Sequence, residues 1–105
     1  AEARAAERAA EAGVDEARAK VRDAVVGAWQ DLAVAHSLSA AAEDQSKAAA
    51  EALYSVRQEV RVGQKPTLDL LNAERESLAA ESGLVAARGG EVAAAYRLNA
   101  LLRGE

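Results

Sequence analysis

The sequence predicts an all-α fold, a long antiparallel helical hairpin paired as a coiled coil, with no β structure. Three observations predict it. Strong helix formers dominate the chain. Apolar residues recur at alternating three- and four-residue steps. The only proline, Pro66, follows closely after Gly63, and both residue types end helices. The whole chain, 1–105, is therefore expected to form a single hairpin.

The composition supports paired helices rather than a globular core. Half of the residues are nominally hydrophobic, but aromatic residues make up 3%, and Phe, Met and Cys are absent. Alanine supplies much of the apolar content, and alanine allows two helices to approach closely. A chain with so few bulky side chains has little with which to fill a globular interior.

Charge and cysteine content exclude several kinds of partner and site. The net charge is −4, with both signs interspersed along the chain, so no nucleic-acid partner is expected. The lack of cysteine excludes disulfides and thiolate zinc sites. No apolar run approaches the roughly 18 residues of a membrane-spanning helix, so no direct membrane contact is expected from this chain. Because the chain starts without Met inside a helical pattern, we interpret it as an interior piece of a longer protein.

The first helix is predicted to cover about 2–61. Its apolar and small residues form an unbroken seam of four- and three-residue steps. The seam positions are Val21, Val25, Ala28, Leu32, Ala35, Ser39, Ala42, Ser46, Ala49, Leu53, Val56 and Val60. At 1.5 Å per residue, about 60 residues make a rod of roughly 90 Å.

A tip turn is predicted at about 62–66. Gly63 suits a left-handed C-cap, and Pro66 disfavours helical geometry at Lys65. We expect Pro66 in the first turn of the second helix, Thr67 capping its amides, and Asp69 at its positive end.

The second helix is predicted to cover about 67–103, ending at Gly104. Two apolar series run along it. One has seven-residue intervals: Leu71, Leu78, Val85 and Val92. The other has three- and four-residue steps, broken once at Glu91: Leu70, Ala73, Ser77, Ala80, Leu84, Ala87, Ala94, Leu98 and Leu101. Two adjoining stripes exceed the need of a two-stranded coiled coil and predict helix neighbours on both sides.

No pattern of catalytic or metal-binding residues occurs. His36 is the only histidine and has no second histidine or cysteine to complete a metal site, so we interpret it as an ordinary helix residue. No Ser/His/Asp spacing accompanies the serines. The sequence thus predicts no enzyme, no cofactor and no metal. Trp29, Tyr54 and Tyr96 are expected to be packing anchors along the seam or its margins. The alternative for these three is a contact surface for a partner protein.

The tip carries a resemblance to a known family. Val62-Gly63, followed after a spacer by Thr-Leu-Asp-Leu-Leu-Asn-Ala (67–73), resembles the helical tip of TolC-type outer-membrane channel proteins, with the pattern Val-Gly-x-x-[ST]-x-x-Asp-[LV]-Leu-[ND]-Ala. The segment 21–32 is similar to the arginine- and tryptophan-containing long helix of that family. Ala86-Ala-Arg, Tyr96-Arg-Leu and the final Leu-Leu-Arg-Gly are similar to its return helix.

This resemblance implies a homotrimeric exit duct with a long periplasmic helical tunnel, in a Gram-negative outer-membrane protein. Such a duct serves drug efflux or type I protein secretion together with a periplasmic adaptor protein and an inner-membrane transporter. The chain would be a periplasmic part of it.

At residue level, the resemblance places adaptor docking at Val62, Gly63 and Gln64. It places Asp69 and Asn72 at the lumen-facing aperture, with Lys65 beside them.

Three positions depart from the family pattern. Pro66 stands where Ser or Thr is usual, Asn72 stands where a second aspartate is frequent, and Val60 replaces a tip tyrosine used for gating in some members. The alternative is a purely structural antiparallel coiled coil, such as a scaffold arm or an adaptor hairpin, without a pore. Self-association of the isolated chain is expected, because a truncated tunnel would leave its apolar stripes exposed.

Overall fold

A computed structural model describes residues 2–104, which form two helices. Helix α1 is Glu2–Arg61, with 60 residues, and helix α2 is Thr67–Arg103, with 37 residues. The two helices pack against each other, and the molecule measures 92 × 18 × 14 Å. The long dimension of 92 Å is close to the roughly 90 Å of a straight 60-residue helix at 1.5 Å per residue. The predicted helical hairpin is confirmed, and residues 2–104 contain no strand.

The predicted seam is confirmed along nearly its whole length. On α1, every seam position from Val25 to Val60 is buried or half-buried. On α2, every position of the three- and four-residue series is buried or half-buried, and so is Glu91 at the break. Val21 is the exception, and its inclusion in the seam was wrong. Residues 2–24 are all exposed because α2 ends before it can cover them.

Small side chains form the buried contact between the helices. The buried residues within 2–104, each no more than 9% exposed, are Ala28, Ala73, Ser77, Ala80, Ala94 and Leu98. Only Leu98 among them is large, so the buried part of the contact consists mainly of small side chains. Burial of this kind still removes apolar surface from water along the full length of α2.

Both helices end at a glycine with a left-handed backbone, at Gly63 (φ +79°) and Gly104 (φ +77°). The Gly63 amide donates to the Val60 carbonyl at 3.1 Å, and the Gln64 amide donates to the Glu59 carbonyl at 2.8 Å. This pair of bonds is the Schellman motif, which satisfies carbonyl groups that the end of a helix leaves without partners.

The start of α2 differs from the expectation. Pro66 occupies the N-cap position with an extended backbone (φ −73°, ψ 156°), one residue before the helix, and no side chain caps the helix there. Thr67 is already helical and does not act as the cap, so that expectation was wrong. Asp69 does lie in the first turn, where the positive end of the helix dipole favours a carboxylate.

The three aromatic residues do not pack within the hairpin. Trp29, Tyr54 and Tyr96 are all exposed, so the prediction that they anchor the seam was wrong. All three lie outside the seam positions. Within residues 2–104, neither helix contains an apolar stretch that could cross a membrane.

Candidate functional site at the hairpin tip

Glu59 organises the backbone of the tip. Its carbonyl oxygen accepts from the amides of Gln64, at 2.8 Å, and Lys65, at 3.3 Å. Its carboxylate lies 3.3 Å from the Lys65 ammonium. The tip is therefore a compact, internally bonded turn rather than an open loop. Lys65, predicted beside the aperture, is directed back toward α1.

The predicted docking residues Val62, Gly63 and Gln64 are all exposed at the end of the molecule. Val62 is 66% exposed, and Leu68, on the other side of the turn, is 64% exposed. Two large apolar side chains thus face solvent at the tip. Sequence reasoning missed Leu68. Leu68 belongs to neither apolar series of α2, and a large apolar residue outside both series could have been identified from the sequence as an exposed contact residue.

Asp69 and Asn72 lie three residues apart and so share one face of α2. Asp69 is half-buried and Asn72 is exposed. The residues that follow on this face at helical spacing are Glu76, Ala79 and Gly83. The structure therefore brings the two predicted aperture residues together, and the same face leads to a groove.

This groove runs along one side of the seam. We call that side of the hairpin the groove flank. The groove has a volume of about 540 Å³. Its outward-facing lining residues are Leu38, Ala41 and Gln45 of α1 and Ala79, Gly83, Ala86 and Gly90 of α2. A Cβ atom added at either glycine would meet nothing within 4 Å. The packing between α1 and α2 therefore does not require glycine at these positions.

The opposite flank of α2 carries a row of large side chains, which we call the ridge: Leu71, Leu78, Val85 and Val92. All four are exposed, and Val85 is the most exposed of them at 71%. Val92 borders a separate depression that is lined by His36, Arg88 and Glu91. The hairpin thus presents an apolar ridge on one flank and a groove of small residues on the other.

Two polar pairs join α1 to α2. The Nδ1 atom of His36 lies 3.3 Å from Oε1 of Glu91, and a guanidinium nitrogen of Arg97 lies 3.8 Å from Oδ2 of Asp31. Sequence reasoning did not find these pairs. In each pair, the residue of α1 and the residue of α2 lie at nearly equal distances along the chain from Gln64. Matching positions at equal distances on the two sides of the turn could therefore have identified both pairs. No cluster of three metal-ligating side chains occurs within residues 2–104.

The comparison with known proteins includes a relative that covers the tip. Over 85 residues, 81% of its length, the chain is 42% identical to the outer membrane efflux protein BepC of Brucella suis biovar 1 (strain 1330). Any stretch of 85 residues in a chain of 105 includes residues 21–85, so the match spans the tip. The match takes in 19% of the relative, so the chain spans about a fifth of that protein's length.

The predicted resemblance to TolC-type outer-membrane channels is thereby confirmed. No protein-family profile matches the chain, and no solved structure matches it.

Proposed function

We propose that this chain is a periplasmic tunnel segment of a trimeric TolC-like outer-membrane channel for drug efflux or type I protein secretion. The observation that carries the proposal is the 42% identity to an outer membrane efflux protein over a stretch that includes the tip. The hairpin itself performs no catalysis and holds no cofactor. Its partners are a periplasmic adaptor protein, an inner-membrane transporter and, in the full-length protein, two further copies of itself.

The two flanks support a place in a tunnel wall. The seam alone is sufficient to pair α1 with α2, yet the ridge leaves four large apolar side chains in water. A row of exposed apolar side chains along one face of a helix is typical of a surface that packs against another helix. On the groove flank, the packing of α1 against α2 does not require glycine at Gly83 and Gly90. Neighbouring helices of the assembled channel would cover both flanks. A solitary scaffold hairpin, the alternative function, leaves them unexplained.

The exposed tip supports docking of the adaptor. Val62 and Leu68 supply apolar contact area on the two sides of the turn. Gly63 has no side chain, and no atom lies within 4 Å of the position its Cβ would take, so a partner can approach the backbone there. The Glu59 bonds hold this surface in one shape, which reduces the ordering cost of binding. Val62, Gly63 and Gln64 are therefore the proposed docking residues.

The face that carries Asp69 and Asn72 is the proposed aperture lining. Lys65 pairs with Glu59, and no ion pair to Asp69 occurs within residues 2–104. The charge of Asp69 is thus not offset by its neighbour at the tip. Three such carboxylates around a narrow opening would form a negative ring that attracts cations. Asn72 would add polar but uncharged lining.

Replacement of Gly63 by tryptophan in the full-length protein tests the docking role, with Gly104→Trp as the matched control. Both glycines have the same left-handed backbone and open space around them, so both substitutions impose a similar strain of about 1–2 kcal/mol. We expect both variants to form the trimer and only Gly63→Trp to lose transport. Normal efflux or secretion by an assembled Gly63→Trp channel would contradict the docking role.

A further inference from the structure

The middle of α2 is packed less completely against α1 than the segments on either side of it. Within 73–80 and within 94–98, every seam residue of α2 is buried. The three seam residues between these segments are only half-buried: Leu84, Ala87 and Glu91. In addition, the Oε2 atom of Glu91 is buried and has no hydrogen-bond partner within residues 2–104, which costs stability. The seam is therefore weakest in the middle of α2.

Unfilled space lies on both sides of this middle segment. On the groove flank, the groove of about 540 Å³ follows α2 from Ala79 to Gly90. On the other flank, the depression beside Val92 has a volume of about 430 Å³ and is also lined by Arg88. Atoms that border unfilled space lose the packing contacts that a filled interior provides. Neither flank therefore supplies packing that would compensate for the weak seam.

Three of the seven glycines of the chain lie in the same segment, at Gly83, Gly89 and Gly90. A Cβ atom added at any of them would meet nothing within 4 Å, so the packing of the hairpin does not require them. Each glycine nevertheless weakens the helix, because glycine loses more backbone freedom on folding than any other residue. Helices also bend at pairs of glycine and serine, and this segment contains Ser82-Gly83 and Gly89-Gly90.

We propose that residues 83–91 form a flexible joint, at which α2 opens locally while the segments on both sides of it stay packed against α1. Local opening occurs where little apolar surface is buried, and here that condition coincides with the weakest helix formers of α2. Helix α1 has no glycine between Ala28 and Val62, so it remains a continuous support beside the joint. The joint is independent of the proposed transport function, because it concerns the motion of the hairpin itself.

Amide hydrogen exchange of the 105-residue chain, at a fixed protein concentration, tests the joint. After correction for intrinsic exchange rates, we expect the amides of 83–91 to be at least about tenfold less protected than those of 73–80 and 94–98. A helix that frays is least protected at its ends. A minimum of protection in the middle of α2 therefore distinguishes the joint from fraying.

Replacement of the three glycines by alanine should close the joint. Each exchange favours the helical state by about two- to fivefold, so Gly83→Ala/Gly89→Ala/Gly90→Ala should raise the protection of 83–91 by about tenfold or more. The variant should keep the fold, because alanine fits at all three positions. Gly27→Ala in α1 is the matched control. Its added methyl group also meets nothing within 4 Å, and the protection of 83–91 should stay unchanged.

Equal protection along 73–98 of the natural chain would overturn the joint. Unchanged protection of 83–91 in the triple variant would also overturn it, because the glycines would then not be the cause of the opening. A rise of the same size at 73–80 as at 83–91 would contradict it as well, since these amides would then exchange only when the whole hairpin unfolds.

Discussion

The Lys65 ammonium lies 3.3 Å from a carboxylate oxygen of Glu59, and the Lys65 amide donates to the carbonyl oxygen of the same glutamate. One residue of α1 therefore holds the last residue before the N-cap of α2 through both its backbone and its side chain. Because both contacts hold Lys65 against α1, the chain reverses its direction between Arg61 and Thr67. Val62, Gly63 and Gln64 lie on the exposed outer side of this turn. The two contacts also keep the tip lysine away from the charge of Asp69.

The side-chain half of this contact should contribute little to stability. We expect Lys65→Ala to lower the free energy of unfolding by no more than about 0.5 kcal/mol, because both groups are partly exposed and solvent screens them. Urea unfolding in low and in 1 M salt measures the loss, which should disappear in high salt. Lys47→Ala is the control, since it breaks a pair of the same 3.3 Å separation within α1. A loss above about 2 kcal/mol would mean that the ion pair, not the backbone bonds, maintains the turn.

Leu98 should be the most important single side chain of the seam. It is 5% exposed, whereas Leu102, one turn later on the same helix, is 58% exposed. We expect Leu98→Ala to lower the free energy of unfolding of the 105-residue chain by about 2–5 kcal/mol, through lost burial and the cavity left behind. Leu102→Ala should change it by no more than about 0.5 kcal/mol. Urea unfolding compares the two, and equal losses would show that the helices pair in a different register.

Removal of the Asp69 carboxylate should weaken cation binding at the aperture of the full-length channel. We expect Asp69→Ala to reduce block by multivalent cations roughly tenfold, which corresponds to about 1.4 kcal/mol of binding free energy. Single-channel recording in a planar bilayer measures it. Glu74→Ala removes the same charge from the ridge flank, beside Leu71, and should leave the block unchanged. An unaltered record for Asp69→Ala would exclude Asp69 from the aperture.

Periodicity predicted the hairpin well because each helix buries a single stripe. The spacing from Val25 to Val60 identified the covered positions of α1, and the Gly63 and Pro66 signals located the turn. Periodicity does not report where the partner helix ends. Val21 therefore fits the seam pattern but is exposed, since α2 does not reach it.

Contacts between the helices were harder to predict from the sequence. His36 and Glu91 each looked unremarkable within its own helix, and only the register set by the turn brings them together. Trp29, Tyr54 and Tyr96 were expected to pack because large rings gain free energy from burial. That expectation assumes that the two helices alone provide every surface against which these rings can pack. Their exposure instead fits a segment whose neighbours lie outside the two helices.

Val85 on the ridge provides the most direct test of the role in a tunnel wall. It is 71% exposed in the hairpin, and the 105 residues contain no cysteine, so a maleimide labels Val85→Cys specifically in the isolated chain, and peptide mass mapping follows position 85 in the full-length protein. Val62→Cys at the tip, where the native side chain is 66% exposed, is the matched control. If helices of the assembled channel cover the ridge, the thiol at position 85 should react rapidly in the isolated chain and far more slowly in the full-length trimer. The thiol at position 62 should react rapidly in both. Equally rapid labelling of position 85 in the isolated chain and in the full-length trimer would contradict a place in the tunnel wall.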